Sequence, residues 1–117
     1  MEIFKEFRFE AAHRLPNVAR SHKCWQLHGH SYRFVVTVEG PVDPKTGMVI
    51  DYKDISKVVK REVIDVLDHQ YLNDIQGLEN PTSEVLSMWI WHRIKELPLK
   101  EVRVFETSTA GATYRGQ

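Results

Sequence analysis

The stretch SYRFVVTVE, residues 31–39, predicts the β-strand around which the fold forms. It is rich in aromatic and β-branched residues, which suit the pleated, half-buried surface of a sheet. Gly40 and Pro41 end the strand. Its period of two predicts one buried face that carries Tyr32, Phe34, Val36 and Val38. If the strand begins early, the same parity places His28 and His30 on that face.

A strand is predicted before this stretch and a helix after it. Residues 2–13 alternate between polar and apolar side chains, and their parity places His13 on the apolar face. Further along, Asp51 and Asp54 resemble a capping box that opens a helix. The helical spacing of the apolar residues that follow ends near Asp68.

The rest of the chain predicts a second helix and two more strands. The helix begins within Asn80–Glu84, which offers several N-cap residues with a proline in the first turn, and it stops at Pro98. Residues 100–107 alternate again, with Glu106 on the face of two valines, and a short strand follows Gly111. The order ββααββ predicts an α+β domain, with an antiparallel four-stranded sheet and both helices on one face.

Length and composition predict a single globular domain over residues 1–117. The 16 basic and 16 acidic side chains cancel, so no overall charge points to a nucleic-acid partner. No apolar stretch approaches the ~20 residues that span a bilayer. The first residues, MEIFKEFRFE, alternate charged and apolar side chains and do not resemble a signal peptide. We therefore expect a cytoplasmic protein with no membrane partner.

Three histidines form a candidate metal site. His28 and His30 present two imidazoles on one strand face because alternate residues point the same way. A catalytic zinc ion usually takes three protein ligands, and His13 supplies the third if the two strands pair as a hairpin. The alternative is that the two histidines are only polar residues at a strand start. We predict a Zn2+ site formed by His13, His28 and His30.

Cys24 is the chain's only cysteine and has three possible roles. It cannot form an internal disulfide, so it is a small buried side chain, a fourth metal ligand or a reactive thiol. The neighbouring Lys23 favours a thiolate. No acidic residue occurs between Ala11 and Val38, a segment that is either an anion-attracting surface or a solvated loop. Its basic residues are Arg14, Arg20, Lys23 and Arg33.

Two carboxylates also have candidate chemical roles. Asp68 can fix the tautomer of His69 for proton transfer, but only if the chain has left helical geometry there. Otherwise His69 is a helix-terminal histidine favoured by the helix dipole. Glu106 needs partners if it is buried, such as the N–H donors of a nitrogen heterocycle, with Thr82 nearby. If it lies at a strand end, it faces water. The tryptophans Trp25, Trp89 and Trp91 are predicted core or interface residues.

Several segments together resemble one protein family over nearly the whole chain. They are FEAAHRLP, HKCWQLHGHSY, VDPKTGMVIDY, LDHQYLND, GLENPTSEVL and FETSTAGATYRG. They resemble the 6-pyruvoyl-tetrahydropterin synthase family, and within it the bacterial branch of 6-carboxy-5,6,7,8-tetrahydropterin synthases of queuosine biosynthesis. Only three residues separate Cys24 from His28. This short spacing resembles that of the carboxy branch, whereas the pyruvoyl enzymes have a longer spacing.

The resemblance implies a fold and a role for each matching residue. The fold is the tunnelling fold (T-fold), commonly a hexamer of two trimers with active sites at subunit interfaces. The implied zinc ligands are again the three histidines. Cys24 is the implied catalytic thiol, and Asp68 with His69 completes the proton-transfer set. Glu106 is the implied anchor of the pterin ring, assisted by Thr82, Ser83 and Glu84.

The function expected from this resemblance is a zinc-dependent lyase. It would convert 7,8-dihydroneopterin triphosphate to 6-carboxytetrahydropterin and release triphosphate and acetaldehyde. The first alternative is 6-pyruvoyl-tetrahydropterin synthase, which eliminates triphosphate without cleaving the side chain. The second is a non-catalytic zinc- or pterin-binding module, whose site would be closed by four protein ligands.

Overall fold

Two long strands form the centre of the sheet. The computed structural model describes residues 1–117, with strands β1 (Glu2–His13) and β2 (His28–Glu39). They pair antiparallel along their whole length, so that His13 lies opposite His28 and Ala11 lies opposite His30. The second strand therefore does begin at His28, three residues before the stretch that predicts it. This start places both histidines inside the ladder.

Three shorter strands complete the sheet, which corrects the predicted topology. They are β3 (Gln70–Tyr71), β4 (Leu99–Phe105) and β5 (Gly111–Tyr114), and the spatial order is β3-β1-β2-β4-β5. The α+β class is confirmed. The prediction of four strands, all antiparallel in the order ββααββ, is wrong because β3 lies between the helical segments and pairs parallel with β1. Two residues are too few to produce a periodic signal.

The first helical segment begins and ends near the predicted positions. Helix α1 (Tyr52–Val59) is capped by Asp51, whose side chain accepts the Lys53 N–H. It continues through a π-helical segment (Lys60–Ile64) into α2 (Asp65–Leu67).

The second helix is shorter than predicted. Helix α3 (Ser83–Arg93) is capped by Thr82, so Pro81 precedes the cap and does not lie in the first turn. It ends five residues before Pro98, because Ile94 leaves helical geometry at φ −118° and ψ 19°. Ile94 is nevertheless fully buried, which explains why it continues the apolar stripe of the sequence.

Both helices cover one face of the sheet. The predicted face of β2 is buried, and it joins β4 side chains and helix side chains in one core cluster. This cluster includes Phe34, Val36, Val104, Val59, Leu86 and Ile90. The opposite face carries exposed polar residues such as Glu6, Glu10 and Ser31. The core therefore lies between one face of the sheet and the helices.

The chain is elongated. Its principal extents are 57 × 24 × 24 Å and its radius of gyration is 15.3 Å, above the ~13 Å typical of a compact chain of this length. No helix has the length and the apolar composition that crossing a bilayer requires.

Replacement of Phe34 by alanine tests the central position of β2 in the core. Phe34 is fully buried, so Phe34→Ala should lower the free energy of unfolding by about 3–5 kcal/mol. The matched control is Phe4→Ala on the neighbouring strand, because Phe4 is 67% exposed and should cost no more than about 0.5 kcal/mol. Urea denaturation at one protein concentration measures both. Equal losses would contradict the assignment of faces.

Candidate active site

The three histidines predicted as ligands converge on the helix-covered side of the sheet. The register of β1 and β2 places the imidazole of His13 beside those of His28 and His30. One ring nitrogen from each lies within 4.8 Å of the others, and the His13 and His28 Nε2 atoms are 3.0 Å apart. His13 is almost fully buried, whereas the other two are partly exposed. The cluster therefore lies at the edge of the core, where a small ligand has access.

Hydrogen bonds to backbone carbonyls orient two of these rings. The Nδ1 atom of His13 lies 2.9 Å from the carbonyl oxygen of Pro81, and that of His28 lies 2.7 Å from the carbonyl oxygen of Gln26. A carbonyl oxygen only accepts hydrogen bonds, so the Nδ1 atom of each ring carries the proton. The Nε2 atom of each ring, in the neutral form, is then left with a free lone pair. This orientation of metal-binding histidines by backbone carbonyls is common in metal sites.

The residues present fit a divalent metal ion. Two Nε2 lone pairs that face each other at 3.0 Å repel unless a cation lies between them. The Nε2 atom of His30 is buried and has no hydrogen-bond partner, an unfavourable state that a bound cation would remove. Tetrahedral zinc binds imidazole nitrogens at about 2.0–2.1 Å, and the donor nitrogens of this cluster all lie within 4.8 Å of one another. Three protein donors leave a fourth position for another ligand.

Burial favours the neutral form of His13 and His30. It is the main cause that lowers the pKa of both, with the nearby His28 acting in the same direction and Glu106 opposing it, while the Pro81 carbonyl also opposes it at His13. The hydroxyl of Tyr32 lies 3.1 Å from His13 Nδ1, and burial raises the Tyr32 pKa, so the phenol stays protonated. Neutral imidazoles are the form that binds a metal ion.

Glu106 lies at the rim of the cluster. It follows the last residue of β4, so its predicted place inside a strand is wrong, and its N–H donates to the Ala110 carbonyl in the turn that follows. Its Oε1 atom is 3.6 Å from His13 Nε2 and 3.9 Å from His30 Nε2, and the side chain is 27% exposed. The carboxylate therefore faces both the histidines and the solvent-accessible space beside them.

Cys24 is outside the histidine cluster. The donor atoms that lie within 4.8 Å of one another belong to the three histidines alone. Cys24 is partly exposed in a 3-10 turn (Lys23–Trp25), where its N–H donates to His22 Nδ1 and its carbonyl accepts the Leu15 N–H. This arrangement does not form a closed four-ligand site.

Asp68 and His69 form the expected pair because the chain has left the helix. Helix α2 ends at Leu67, and His69 adopts a left-handed backbone conformation with φ 62°. Asp68 Oδ1 lies 3.1 Å from His69 Nδ1 and accepts the Glu10 N–H at 3.0 Å. That backbone hydrogen bond is the main cause that lowers the Asp68 pKa, with His69 adding to it.

The sheet separates this pair from the histidine cluster. His69 is 77% exposed and lines a cavity to which Glu10, Ser31 and His30 also contribute; Glu10 and Ser31 belong to the polar face of the sheet. Side chains of alternate strand residues point to opposite faces, so His30 and Ser31 point apart. Within one chain, His69 therefore lies on the face opposite to the three histidines.

The segment Thr82–Glu84 begins beside the cluster but uses its hydroxyl groups locally. The Thr82 hydroxyl accepts the Val85 N–H as the helix cap, and Ser83 donates to Glu84. The contact with the cluster comes from the preceding carbonyl of Pro81. Sequence reasoning missed the carbonyls of Pro81 and Gln26, since a backbone group leaves no residue-type signal.

These features define an α+β protein with a strand-borne three-histidine centre. A model of the family 6-pyruvoyl tetrahydropterin synthase matches residues 2–117. The chain belongs to this family. It is an enzyme, because the family and the similar proteins are synthases.

Individual relatives carry two different names. A Synechocystis sp. protein named 6-carboxy-5,6,7,8-tetrahydropterin synthase is 44% identical over 119 residues, covering 96% of this chain and 91% of the relative. The Homo sapiens 6-pyruvoyl tetrahydrobiopterin synthase is 33% identical, covering 99% and 92%. The solved structure of the Caenorhabditis elegans 6-pyruvoyl tetrahydropterin synthase superposes with a TM-score of 0.91 at 29% identity, covering 100% and 96%.

The lowered pKa values of His13 and His30 predict how the metal-free protein responds to pH. Between the folded pKa and the ordinary imidazole pKa of 6.5, the unfolded chain binds more protons than the folded chain, so stability falls as the pH falls. We expect the free energy of unfolding of the chelator-treated protein to decrease from pH 7 to pH 5, as measured by urea titration.

A matched pair of variants tests whether this pH dependence of stability comes from the histidine cluster. His30→Gln should weaken the pH dependence, whereas His92→Gln, at an exposed position of α3, should leave it unchanged. Carboxylates with lowered pKa values, such as Asp68, lose their contribution only below about pH 4. A flat profile between pH 5 and 7 would contradict the burial of neutral imidazoles.

Proposed function

We propose that the chain is a zinc-dependent 6-carboxy-5,6,7,8-tetrahydropterin synthase. It converts 7,8-dihydroneopterin triphosphate and water to 6-carboxytetrahydropterin, with release of triphosphate and acetaldehyde, in queuosine biosynthesis. The observation that carries this proposal is the convergence of three Nε2 atoms in a chain that is 44% identical to a protein of that name. In this proposal residues 1–117 form one catalytic domain.

The three histidines would hold the zinc ion. Imidazole donors suit zinc among the divalent metals, and the Nε2 atoms of His13 and His28 lie 3.0 Å apart, close to the unpartnered Nε2 atom of His30. A bound zinc ion supplies Lewis acidity, which lowers the cost of negative charge on substrate oxygens. Glu106 at the rim accepts hydrogen bonds from ring N–H groups of the pterin, supported by the segment Thr82, Ser83 and Glu84. These contacts place the side chain of the substrate over the histidines.

Cys24 and His69 would transfer protons. Cys24 is partly exposed and is not tied into the histidine cluster, so its thiol remains available to the substrate. Asp68 orients His69 and stabilises its charged form. The pair must act at the cluster of a neighbouring subunit, because the sheet lies between His69 and the histidines of its own chain. We therefore propose a homo-oligomer with active sites at subunit interfaces, in agreement with the elongated, open-faced chain.

A second candidate function is 6-pyruvoyl-tetrahydropterin synthase. The observation in its favour is that the human relative, 33% identical to this chain, carries that name. The short spacing between Cys24 and His28 and the 44% identity to the Synechocystis protein favour the carboxy reaction instead. A non-catalytic binding module is disfavoured because only three protein donors converge in the cluster.

Mass spectrometry of the product tests the proposed reaction. We expect the zinc-loaded protein and 7,8-dihydroneopterin triphosphate to give 6-carboxytetrahydropterin and acetaldehyde, and removal of zinc by a chelator to abolish turnover. A product that retains the three-carbon side chain would establish the pyruvoyl reaction instead. Binding of pterin without any product would favour the non-catalytic module.

Mixing of inactive variants tests the shared active site. Cys24→Ala and His69→Ala should each lose turnover but retain zinc, because neither side chain belongs to the cluster. In oligomers assembled from equal amounts of both, about a quarter of the sites combine an intact Cys24 with a partner's intact His69, so about a quarter of the activity should return.

A second mixture serves as the control. Cys24→Ala combined with His28→Ala should recover nothing, since both residues would serve the same chain's site. Loss of zinc from Cys24→Ala would identify Cys24 as a ligand. Absence of recovery in the first mixture would contradict the interfacial arrangement.

A further inference from the structure

Two guanidinium groups lie over the indole of Trp25. The Cζ atom of Arg14 is 4.4 Å from the ring centroid, and that of Arg20 is 4.6 Å from it. Trp89 and Trp91 pack against the hydrophobic core, but Trp25 does not. The prediction that Trp25 is a core residue is thus wrong, because its ring contacts cations and not the apolar cluster, whereas the alternative that it is an interface residue stays a prediction. Guanidinium groups over an indole are held by cation–π attraction and by planar stacking.

This stack lies within a loop in which the backbone N–H and the backbone carbonyl of Cys24 both form hydrogen bonds. The Cys24 carbonyl accepts the Leu15 N–H at 2.7 Å, and the Cys24 N–H donates to His22 Nδ1 at 3.0 Å. The Trp25 carbonyl accepts from Arg14 Nε at 3.1 Å. The side chain and the backbone of Trp25 therefore contact the same arginine.

Arg14 connects this loop to the body of the protein. Its N–H donates to Asn73 Oδ1 at 3.0 Å, and its carbonyl accepts from Asn73 Nδ2 at 2.8 Å. Asn73 lies in the 3-10 turn after β3, between the helical segments. Arg14 is thus fixed to the body of the protein, and Arg20 supplies a second guanidinium over the same indole.

We propose that Trp25 and Arg20 are positioning residues that hold the Cys24 thiol in place for reaction. This inference rests on the proposed catalytic role of Cys24. Because Trp25 directly follows Cys24, release of the indole would let the thiol move by an ångström or more. Misplacement on that scale in a reacting geometry can cost up to about a hundredfold in rate. Arg20 acts through the indole, with no carboxylate within 4.0 Å of its guanidinium.

The rival role for Arg20 is attraction of the substrate's triphosphate. The two roles predict different kinetics. A phosphate contact formed equally in the ground and transition states changes KM, whereas positioning of the thiol changes kcat. Lysine preserves the charge but lacks the planar guanidinium that stacks on the indole. Arg20→Lys therefore separates the two roles.

The experiment measures kcat and KM for three variants together with their zinc content, and KM for Arg20→Ala as the test of a phosphate contact. Trp25→Ala should lower kcat about tenfold or more with KM within about twofold, and Trp25→Phe should restore most of kcat because it keeps an aromatic face. Arg20→Lys should lower kcat about threefold with KM unchanged. Zinc content should stay at the wild-type level in all three, because the loop supplies no ligand.

Arg93→Ala is the matched control. It removes a guanidinium 5.2 Å from the Trp89 ring, a contact of the same kind on α3, and should leave kcat unchanged. The rate at which iodoacetamide alkylates Cys24 gives a readout that does not depend on turnover. It should rise in Trp25→Ala and stay near wild type in Trp25→Phe and Arg93→Ala.

Several results would overturn the proposal. They are a wild-type kcat in Trp25→Ala, a loss of zinc from Trp25→Ala, or a rise in KM for Arg20→Ala that Arg20→Lys reverses. An inactive wild-type protein would refute the proposed function, while the alkylation rates would still show whether the stack restrains Cys24. If the wild-type protein is active and the variants keep its kcat, only the positioning role is refuted and the proposed function stands.

Discussion

The antiparallel register of β1 and β2 is the constraint on which the rest of the structure depends. It pairs His13 with His28 and Ala11 with His30, and it places the three imidazoles on the face that also buries Tyr32 and Phe34. A slip of one residue would move every side chain of one strand to the other face. The apolar side chains that stabilise the sheet therefore also specify the histidine cluster, since both depend on the same parity.

The sheet also divides the chemistry into two halves. The cluster with Glu106 lies on the helix-covered side, whereas Asp68 and His69 lie at the β1 edge and open onto the polar face. One chain thus carries both halves of the proposed site without bringing them together. Two elements fix the second half. The end of α2 releases the chain from helical geometry, and the Glu10 N–H holds the Asp68 carboxylate.

The sequence predicts the long elements and the histidines well, and the irregular parts poorly. Alternation in residues 31–39 identifies β2, and the parity of residues 2–13, with hairpin pairing of the two strands, predicts His13 as the third member of the cluster. The two-residue strand Gln70–Tyr71 and the π-helical segment Lys60–Ile64 carry no periodic pattern of their own. The carbonyl partners of His13 and His28 are invisible because any residue has a carbonyl. The stack on Trp25 depends on a loop conformation that no local propensity encodes.

The left-handed backbone of His69 places stability and function in opposition. A φ of 62° is disfavoured for a residue with a Cβ atom, and such conformations typically cost about 1–3 kcal/mol. Glycine would adopt this conformation without strain but would remove the imidazole. Laboratory evolution for heat resistance alone would therefore enrich glycine at position 69 and remove the imidazole that we propose as a proton-transfer group. Histidine at this position thus lowers the stability of the fold while it supplies the side chain that the proposed reaction needs.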